Sequence, residues 1–209
     1  MNPAINSFLR FRPTEDWILQ QSGYPWMQLA ITVPYAEILA EAQAVYSNSV
    51  LHRAQDQVVG YTHQGWRSLT LHGVGSTVTT EQPGNVDWTE VANQCPATKQ
   101  FVETYWDIST AGRIRFMWLE AGGYILPHVD RQQQRLSECN IAIDHPNEAK
   151  LQFLDYGVVP FTTGSAFIID TSRKHFAVNQ SGQLRTHIIV HAKLKSGIVQ
   201  KSYENSFYC

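Results

Sequence analysis

Along the second half of the chain, apolar and polar residues alternate in short runs. From Arg113 onward the runs are RIRFMWLE, YILPH, ECNIAI, KLQFLDY, VVPF, SAFIID, HFAVN and LRTHIIVHAKL. Between them lie turn-forming stretches such as AGG, DHPNE, TTG, TSRK and NQSGQ. Alternation of this kind, bounded by turn residues, marks strands. Seven or eight strands in about eighty residues leave no room for helices between them, which predicts a small antiparallel barrel or double-sheet jelly roll. The first half is mixed. PYAEILAEAQAVY (Pro34 to Tyr46) carries proline at its start and apolar residues at three-four spacing, so it predicts an amphipathic helix. GWRSLTLHGVG (Gly65 to Gly75) alternates between glycines and predicts a strand. DWTEVANQCPATKQFVETYWD suggests one or two helices broken near Pro96, with Asp87 as a candidate N-cap. The expectation is a mainly β protein with flanking helices. Residues 1–110 buttress and cap a core spanning 111–209, in one compact domain.

Composition narrows the classes. The 209 residues include 16 Lys and Arg against 18 Asp and Glu, so the net charge of −2 gives no basic footprint for nucleic acid. No apolar run approaches the length of a membrane span, and the N-terminal stretch does not read as a signal peptide. Three scattered cysteines, Cys95, Cys139 and Cys209, make no disulfide framework and point to a reducing, cytoplasmic setting. Cys139 falls in an apolar strand pattern and is expected in the core.

The candidate chemistry begins at LPHVDRQQQR (Leu126 to Arg135). In extended backbone, residues two apart point to the same side, so His128 and Asp130 deliver an imidazole and a carboxylate to one point. Alone, the pair suits an ordinary loop as well as a metal. His175, opening HFAVN, supplies a third donor. Two histidines and one carboxylate with open positions opposite form the facial triad of non-haem Fe(II) oxygenases. An oxygenase that also uses 2-oxoglutarate needs a cation for the far carboxylate, and Arg185 is the candidate, because its planar fork grips a carboxylate two-pronged. If Gln180, Ser181 and Gly182 form a three-residue hairpin loop with Gly182 left-handed, then Asn179 pairs with Gln183, Ala177 with Arg185 and His175 with His187. That register puts Arg185 on the His175 face, offset by about 6.6 Å of strand rise, comparable to the length of a five-carbon diacid.

HVD, followed by GSAFIIDTSRKHFAVNQSGQLRTHIIVHAKL, resembles the Fe(II)/2-oxoglutarate-dependent oxygenases, and among them the aspartyl/asparaginyl beta-hydroxylase and proline hydroxylase-like group. The match runs over roughly residues 113–194, with a fainter echo at 65–72. The resemblance implies a double-stranded β-helix, cupin-like core. It implies His128, Asp130 and His175 as iron ligands and Arg185 as the 2-oxoglutarate anchor. It further implies hydroxylation of an unactivated C–H of an amino acid, free or within a peptide, with O2 consumed and 2-oxoglutarate converted to succinate and CO2. Many such enzymes place x-Ser after the arginine; here it is Thr186-His187. The intact HxD is closer to the proline-hydroxylase type, since some beta-hydroxylases use one histidine and no acid.

Two other readings stay open at this level. A cupin-like zinc enzyme would use the same three ligands and a metal-bound water, with no required place for Arg185. A non-catalytic barrel would present an aromatic pocket and need no metal. Each remaining residue has a plain reading beside a functional one. His187 lines the 2-oxoglutarate or substrate pocket, or is a satisfied core histidine. Arg135 and Asn140 read as solvated more than as substrate contacts, and Trp66 and Trp118 as core. His52, His63 and His72 read as non-ligands, His145 as turn chemistry, and Asp170 as a bond to local backbone.

Overall fold

The computed structural model describes residues 23–53, 62–80, 83–130 and 138–205. In chain order these form β1 (Trp26–Gln28), α1 (Tyr35–Ala44), β2 (Val50–Leu51), β3 (His63–Gly73), β4 (Asp87–Trp88), α2 (Pro96–Tyr105), β5 (Trp106–Asp107) and β6 (Arg113–His128). Then come β7 (Glu138–Asp144), β8 (Ala149–Phe153), β9 (Gly157–Val158), β10 (Ala166–Ile169), β11 (His175–Asn179), β12 (Arg185–His191), β13 (Lys193–Leu194) and α3 (Ile198–Asn205). The strand-rich second half and the two anticipated helices are present; α3 and the short strands β1 and β5 carry no pattern long enough to read in advance.

β6 organises the fold. Two strands were expected around AGG, but one strand of 16 residues passes straight through it. Gly122 takes φ +72°, and at Gly123 a Cβ would stand 2.8 Å from the Glu120 carbonyl and 2.9 Å from that of Gln64. Glycine therefore lets the strand bend without breaking its ladder. On one edge β6 pairs with β3, with a bulge between Gln64 and Trp66. On the other edge it pairs with β12 through Arg113 to Leu119 and with β11 through Tyr124 to His128.

β11 and β12 are consequently not a hairpin. They lie end to end along one edge of β6, with His175 opposite His128 and Arg185 opposite Leu119. The pairing expected between Ala177 and Arg185 and between His175 and His187 does not form, and Gly182 is not left-handed. Asn179 makes the join instead. Its Nδ2 donates toward the carbonyls of Leu119, Glu120 and Gln183 (2.9, 3.1 and 2.7 Å), while its Oδ1 accepts from the backbone N–H and hydroxyl of Ser181. The edge of β6 was open at both halves, and pairing with it satisfies more backbone than a five-residue hairpin would.

Two wings follow from this arrangement. β12, β7, β10 and β1 extend from the first half of β6, and β11, β8 and β9 from the second. The wings face each other, because Leu151 and Phe153 of β8 pack in one cluster with Ala142 of β7 and Phe167 and Ile169 of β10. The result is a curled antiparallel sheet of jelly-roll type, as expected. Period two then sorts the side chains. Ile114, Phe116 and Trp118 of β6, Cys139 and Ile141 of β7, and Ile188 and Val190 of β12 face outward into a core with Ile38 and Ala42 of α1 and Phe101 and Val102 of α2. The intervening residues face the space between the wings. Cys139 is in the core, as expected, and accepts a hydrogen bond from Trp106 Nε1.

Helix α2 starts at Pro96 after a 3₁₀ turn at Glu90–Gln94, as the proline predicts. Asp87 is not its cap; it lies in β4, where its carboxylate accepts from the Trp88 N–H. Glu41 of α1 caps the helix, accepting from the Ala97 and Thr98 N–H groups at 2.6 and 2.9 Å. A capping partner 56 residues away leaves no local signature.

Candidate metal centre and its cavity

His128 ends β6 and His175 opens β11, and the two are direct cross-strand partners. Their ring centroids are 4.4 Å apart. Asp130 follows two residues later, with its N–H donating to the Thr171 carbonyl at 3.0 Å. Its Oδ1 lies 3.4 Å from His128 Nε2 and its Oδ2 3.6 Å from His175 Nε2. The ligand atoms of the three residues all lie within 4.8 Å of one another. Both Nδ1 atoms are spoken for, with His128 at 2.7 Å from the Leu126 carbonyl and His175 at 2.8 Å from that of Arg173. A carbonyl only accepts, so each Nδ1 carries the proton and each Nε2 presents a lone pair. Two lone pairs and a carboxylate facing one point repel unless a cation lies between them. The donor set therefore fits a divalent metal with nitrogen and oxygen preference.

Arg185 lines the same cavity, of about 500 Å³, as the three candidate ligands. It is buried, its Nε has no hydrogen-bond partner, and among the described residues no carboxylate forms an ion pair with it. Burial alone pulls its guanidinium down to about 9. A buried cation without an anion is costly, and a bound carboxylate would relieve it. The convergence expected from a hairpin is thus reached by another route: the bend in β6 turns His175 and Arg185 into one cavity.

His187 is buried beside Arg185. Its Nδ1 lies 2.6 Å from Asn140 Oδ1 and 3.1 Å from Arg185 Nη2, and its Nε2 lies 2.8 Å from His145 Nδ1. Nδ1 is thus shared between the Arg185 guanidinium, which can only donate, and the Asn140 amide, while Nε2 bonds His145. Burial, then the charges of Arg185 and His145, push His187 well below its ordinary range; burial and Arg185 lower His145 to about 4. Two neutral imidazoles therefore wall the arginine. Asn140 and His145, read from sequence as solvated and as turn chemistry, belong to this buried network. Their neighbours come from β12, which no local pattern around them could disclose.

Trp118 is core, as expected, whereas Trp66 is half-buried, lines the cavity and packs on His52 at 4.1 Å. His52, His63 and His72 lie outside the ligand cluster, as expected. Asp170 accepts from the Ser172 N–H, as expected. Arg135 lies outside the described residues. Sequence reading missed Arg53, Arg113, Arg115, Glu138 and His191, all of which line the cavity. The signal for three of them was there in period two: Arg113 and Arg115 share one face of β6, and His191 shares that of Arg185 and His187 on β12.

A curled sheet with facing wings, converging nitrogen and carboxylate donors and a buried guanidinium in the same cavity fit a metal-dependent enzyme of the jelly-roll class. The chain belongs to the aspartyl/asparaginyl beta-hydroxylase family, whose model matches residues 33–193, and is thereby an enzyme of the dioxygenase type. No curated protein sequence matches it. Among solved structures it is similar to a Pseudomonas putida prolyl-4-hydroxylase, with 14% identity and a TM-score of 0.50 over 87% of this chain and 100% of that one. It is also similar to a Trichoplax adhaerens prolyl hydroxylase solved with a hypoxia-inducible-factor peptide fragment, with 11% identity and a TM-score of 0.54 over 90% of both chains. A Burkholderia pseudomallei oxidoreductase of the 2OG-Fe(II) oxygenase family gives 13% identity and a TM-score of 0.50 over 86% of this chain and 91% of that one. At these identities the likenesses speak for the fold.

Proposed function

We propose that the protein hydroxylates an unactivated C–H of an amino acid, free or as a residue of a peptide, with 2-oxoglutarate converted to succinate and CO2. His128, Asp130 and His175 would hold Fe(II), which supplies the open coordination sites at which the keto acid and O2 meet. The two histidines keep Nε2 unprotonated because their Nδ1 protons are committed to backbone carbonyls. Arg185 takes the far carboxylate of 2-oxoglutarate. His187, held by Asn140 and His145, forms the wall behind it. Phe153, tilted by 41° at 5.4 Å from the His175 ring, keeps water from that side. The observation that carries the reading is a guanidinium with no acid partner among the described residues, in the same cavity as the three converging donors.

The test uses the intact protein. Fe(II) and 2-oxoglutarate, added without oxygen, give a weak visible charge-transfer band, and admitting oxygen releases succinate. Arg185→Ala and His175→Ala each abolish the band. Tightly held zinc with no band would replace this reading by a metal-bound-water enzyme. Retention of the band in both variants would place the keto acid elsewhere.

A further inference from the structure

Arg115 of β6 is, with Arg185, the other buried guanidinium of the cavity. Residues that pair across a sheet share one face, so its row runs from Thr70 on β3 through Arg115 to Ile189 on β12 and Asn140 on β7. None of these neighbours carries a charge. The guanidinium reaches only neutral acceptors, and at long range. Nη1 lies 3.5 Å from the Thr79 carbonyl and Nη2 3.3 Å from His191 Nε2, which must accept because an arginine only donates. Nε is buried and has no hydrogen-bond partner. The Glu138 carboxylate, in the same cavity, is turned elsewhere: one oxygen accepts from the Thr171 hydroxyl and the other faces His191 Nδ1 at 3.7 Å. Among the described residues no carboxylate forms an ion pair with Arg115.

An arginine that only ties a sheet together closes on a carboxylate or on well-placed carbonyls. Arg115 does neither. Burial, ahead of any neighbouring charge, lowers it to about 9, so its charge is held at a cost that a bound carboxylate relieves. Nor is it a second hold on the keto acid. Its partner Ile189 lies four residues along β12 from Arg185, which is about 13 Å of strand. The two carboxyl carbons of a five-carbon diacid are roughly 5 Å apart. With the keto acid on Arg185, Arg115 is left for the other reactant in the cavity that also holds His128, Asp130 and His175.

We infer that the substrate brings a carboxylate of its own, seated on Arg115, so that a neutral side chain inside a peptide is not what this enzyme oxidises. The inference rests on the proposed function for the place of the keto acid and the metal; the carboxylate seat itself stands on Arg115. A guanidinium grips any carboxylate by two-pronged bonds. The group has two sources, the α-carboxylate of a free amino acid and the acidic side chain of a peptide residue, and the test separates them.

Nuclear magnetic resonance on the full chain with isotopically labelled arginine follows the Arg115 Nε–H signal, assigned by its loss in Arg115→Lys. The first arm titrates the common L-amino acids, each beside its C-terminal amide. The second titrates the N-acetyl N-methylamides of aspartate and glutamate beside those of asparagine and glutamine. Both arms run with and without Zn(II) and saturating 2-oxoglutarate. The expected result is that at least one acid moves the Arg115 signal and binds at least about tenfold tighter than its amide, since a hydrogen bond between charged groups is lost in the amide. The gap closes in Arg115→Gln and is partly restored in Arg115→Lys. A gap in the first arm names a free amino acid as the source, and one in the second an acidic peptide residue. Should Arg115→Gln lose its circular dichroism, the wild-type signal and the lysine variant still decide. No movement of the Arg115 signal by any probe, equal binding of acid and amide, a gap that survives Arg115→Gln, or competition between the acid and 2-oxoglutarate would each overturn the inference. Failure of the oxygenase reading shows up separately, as absent succinate, and leaves the acid-to-amide gap untouched.

Discussion

Nη2 of Arg185 lies 3.1 Å from Nδ1 of His187, two residues further along the same strand, and the same ring nitrogen contacts Asn140 Oδ1 at 2.6 Å. Among the described residues the guanidinium thus has a neighbour but no counter-charge. Its burial is a standing cost in the ligand-free protein. Arg185→Met is expected to leave the melting temperature of the ligand-free protein unchanged or raised, while abolishing the thermal shift produced by 2-oxoglutarate. In the wild type that shift corresponds to about 2.7 kcal/mol at a hundred times Kd. Scanning fluorimetry with and without the keto acid reads both; a strongly destabilised apo variant would contradict the account.

Asp130 is the bridge between two imidazoles that otherwise point lone pairs at each other. Asp130→Ala is expected to weaken Mn(II) binding by at least about a hundredfold, more than loss of an outer partner costs. The fold should survive, because the removed side chain is partly exposed. Electron paramagnetic resonance titration of Mn(II) measures it.

Acid should destabilise the protein through its neutral histidines. His145 is lowered to about 4, mainly by burial and then by Arg185, and burial leads the lowering of His52 and His187 too. Above pH about 6.5 these rings are neutral in folded and unfolded chains alike, and their contribution is intact. As pH falls from about 6.5 toward 4, the unfolded chain takes up protons that the folded one refuses, so stability falls. His145 alone accounts for on the order of 3 kcal/mol over that window. Urea midpoints at pH 7.5, 6 and 5 should decline, and His145→Gln should flatten the decline.

Glu41 ties the two helices together through the first turn of α2. Glu41→Ala removes acceptors from Ala97, Thr98 and the Thr98 hydroxyl. The expected loss is about 1–2 kcal/mol, a fall in Tm of roughly 2–6 °C. Affinity for 2-oxoglutarate should not change, since the contact lies on the outer face of the sheet.

Gly123 sits where β6 bends. An alanine there would press its Cβ against two backbone carbonyls at 2.8 and 2.9 Å. Gly123→Ala is expected to cost about 2 kcal/mol or more. It should also weaken metal binding, because the bend sets where His128 ends up. Combined chemical denaturation and Mn(II) titration distinguish this from a purely local strain.

Local pattern carried most of the strand content, helix α1, the proline-led start of α2 and the outward core face of β6. Those follow from period, capping and turn chemistry, which act over a few residues. It also carried the candidate ligands, since His128 and Asp130 are two apart and His175 opens a strand. What pairs with what did not follow. The ladder joining β11 and β12 to opposite halves of β6 replaced a hairpin that the intervening residues allowed equally well.

The amino-acid order by itself determined which residues share a face, which runs extend, and that two imidazoles, a carboxylate and an arginine were available. The tertiary structure decided that one bent strand would carry both wings. It thereby brought Glu138 and Asn140 to a cavity they do not announce. The physical reason is that backbone pairing and charge burial are settled between segments tens of residues apart, where no periodicity records the partner.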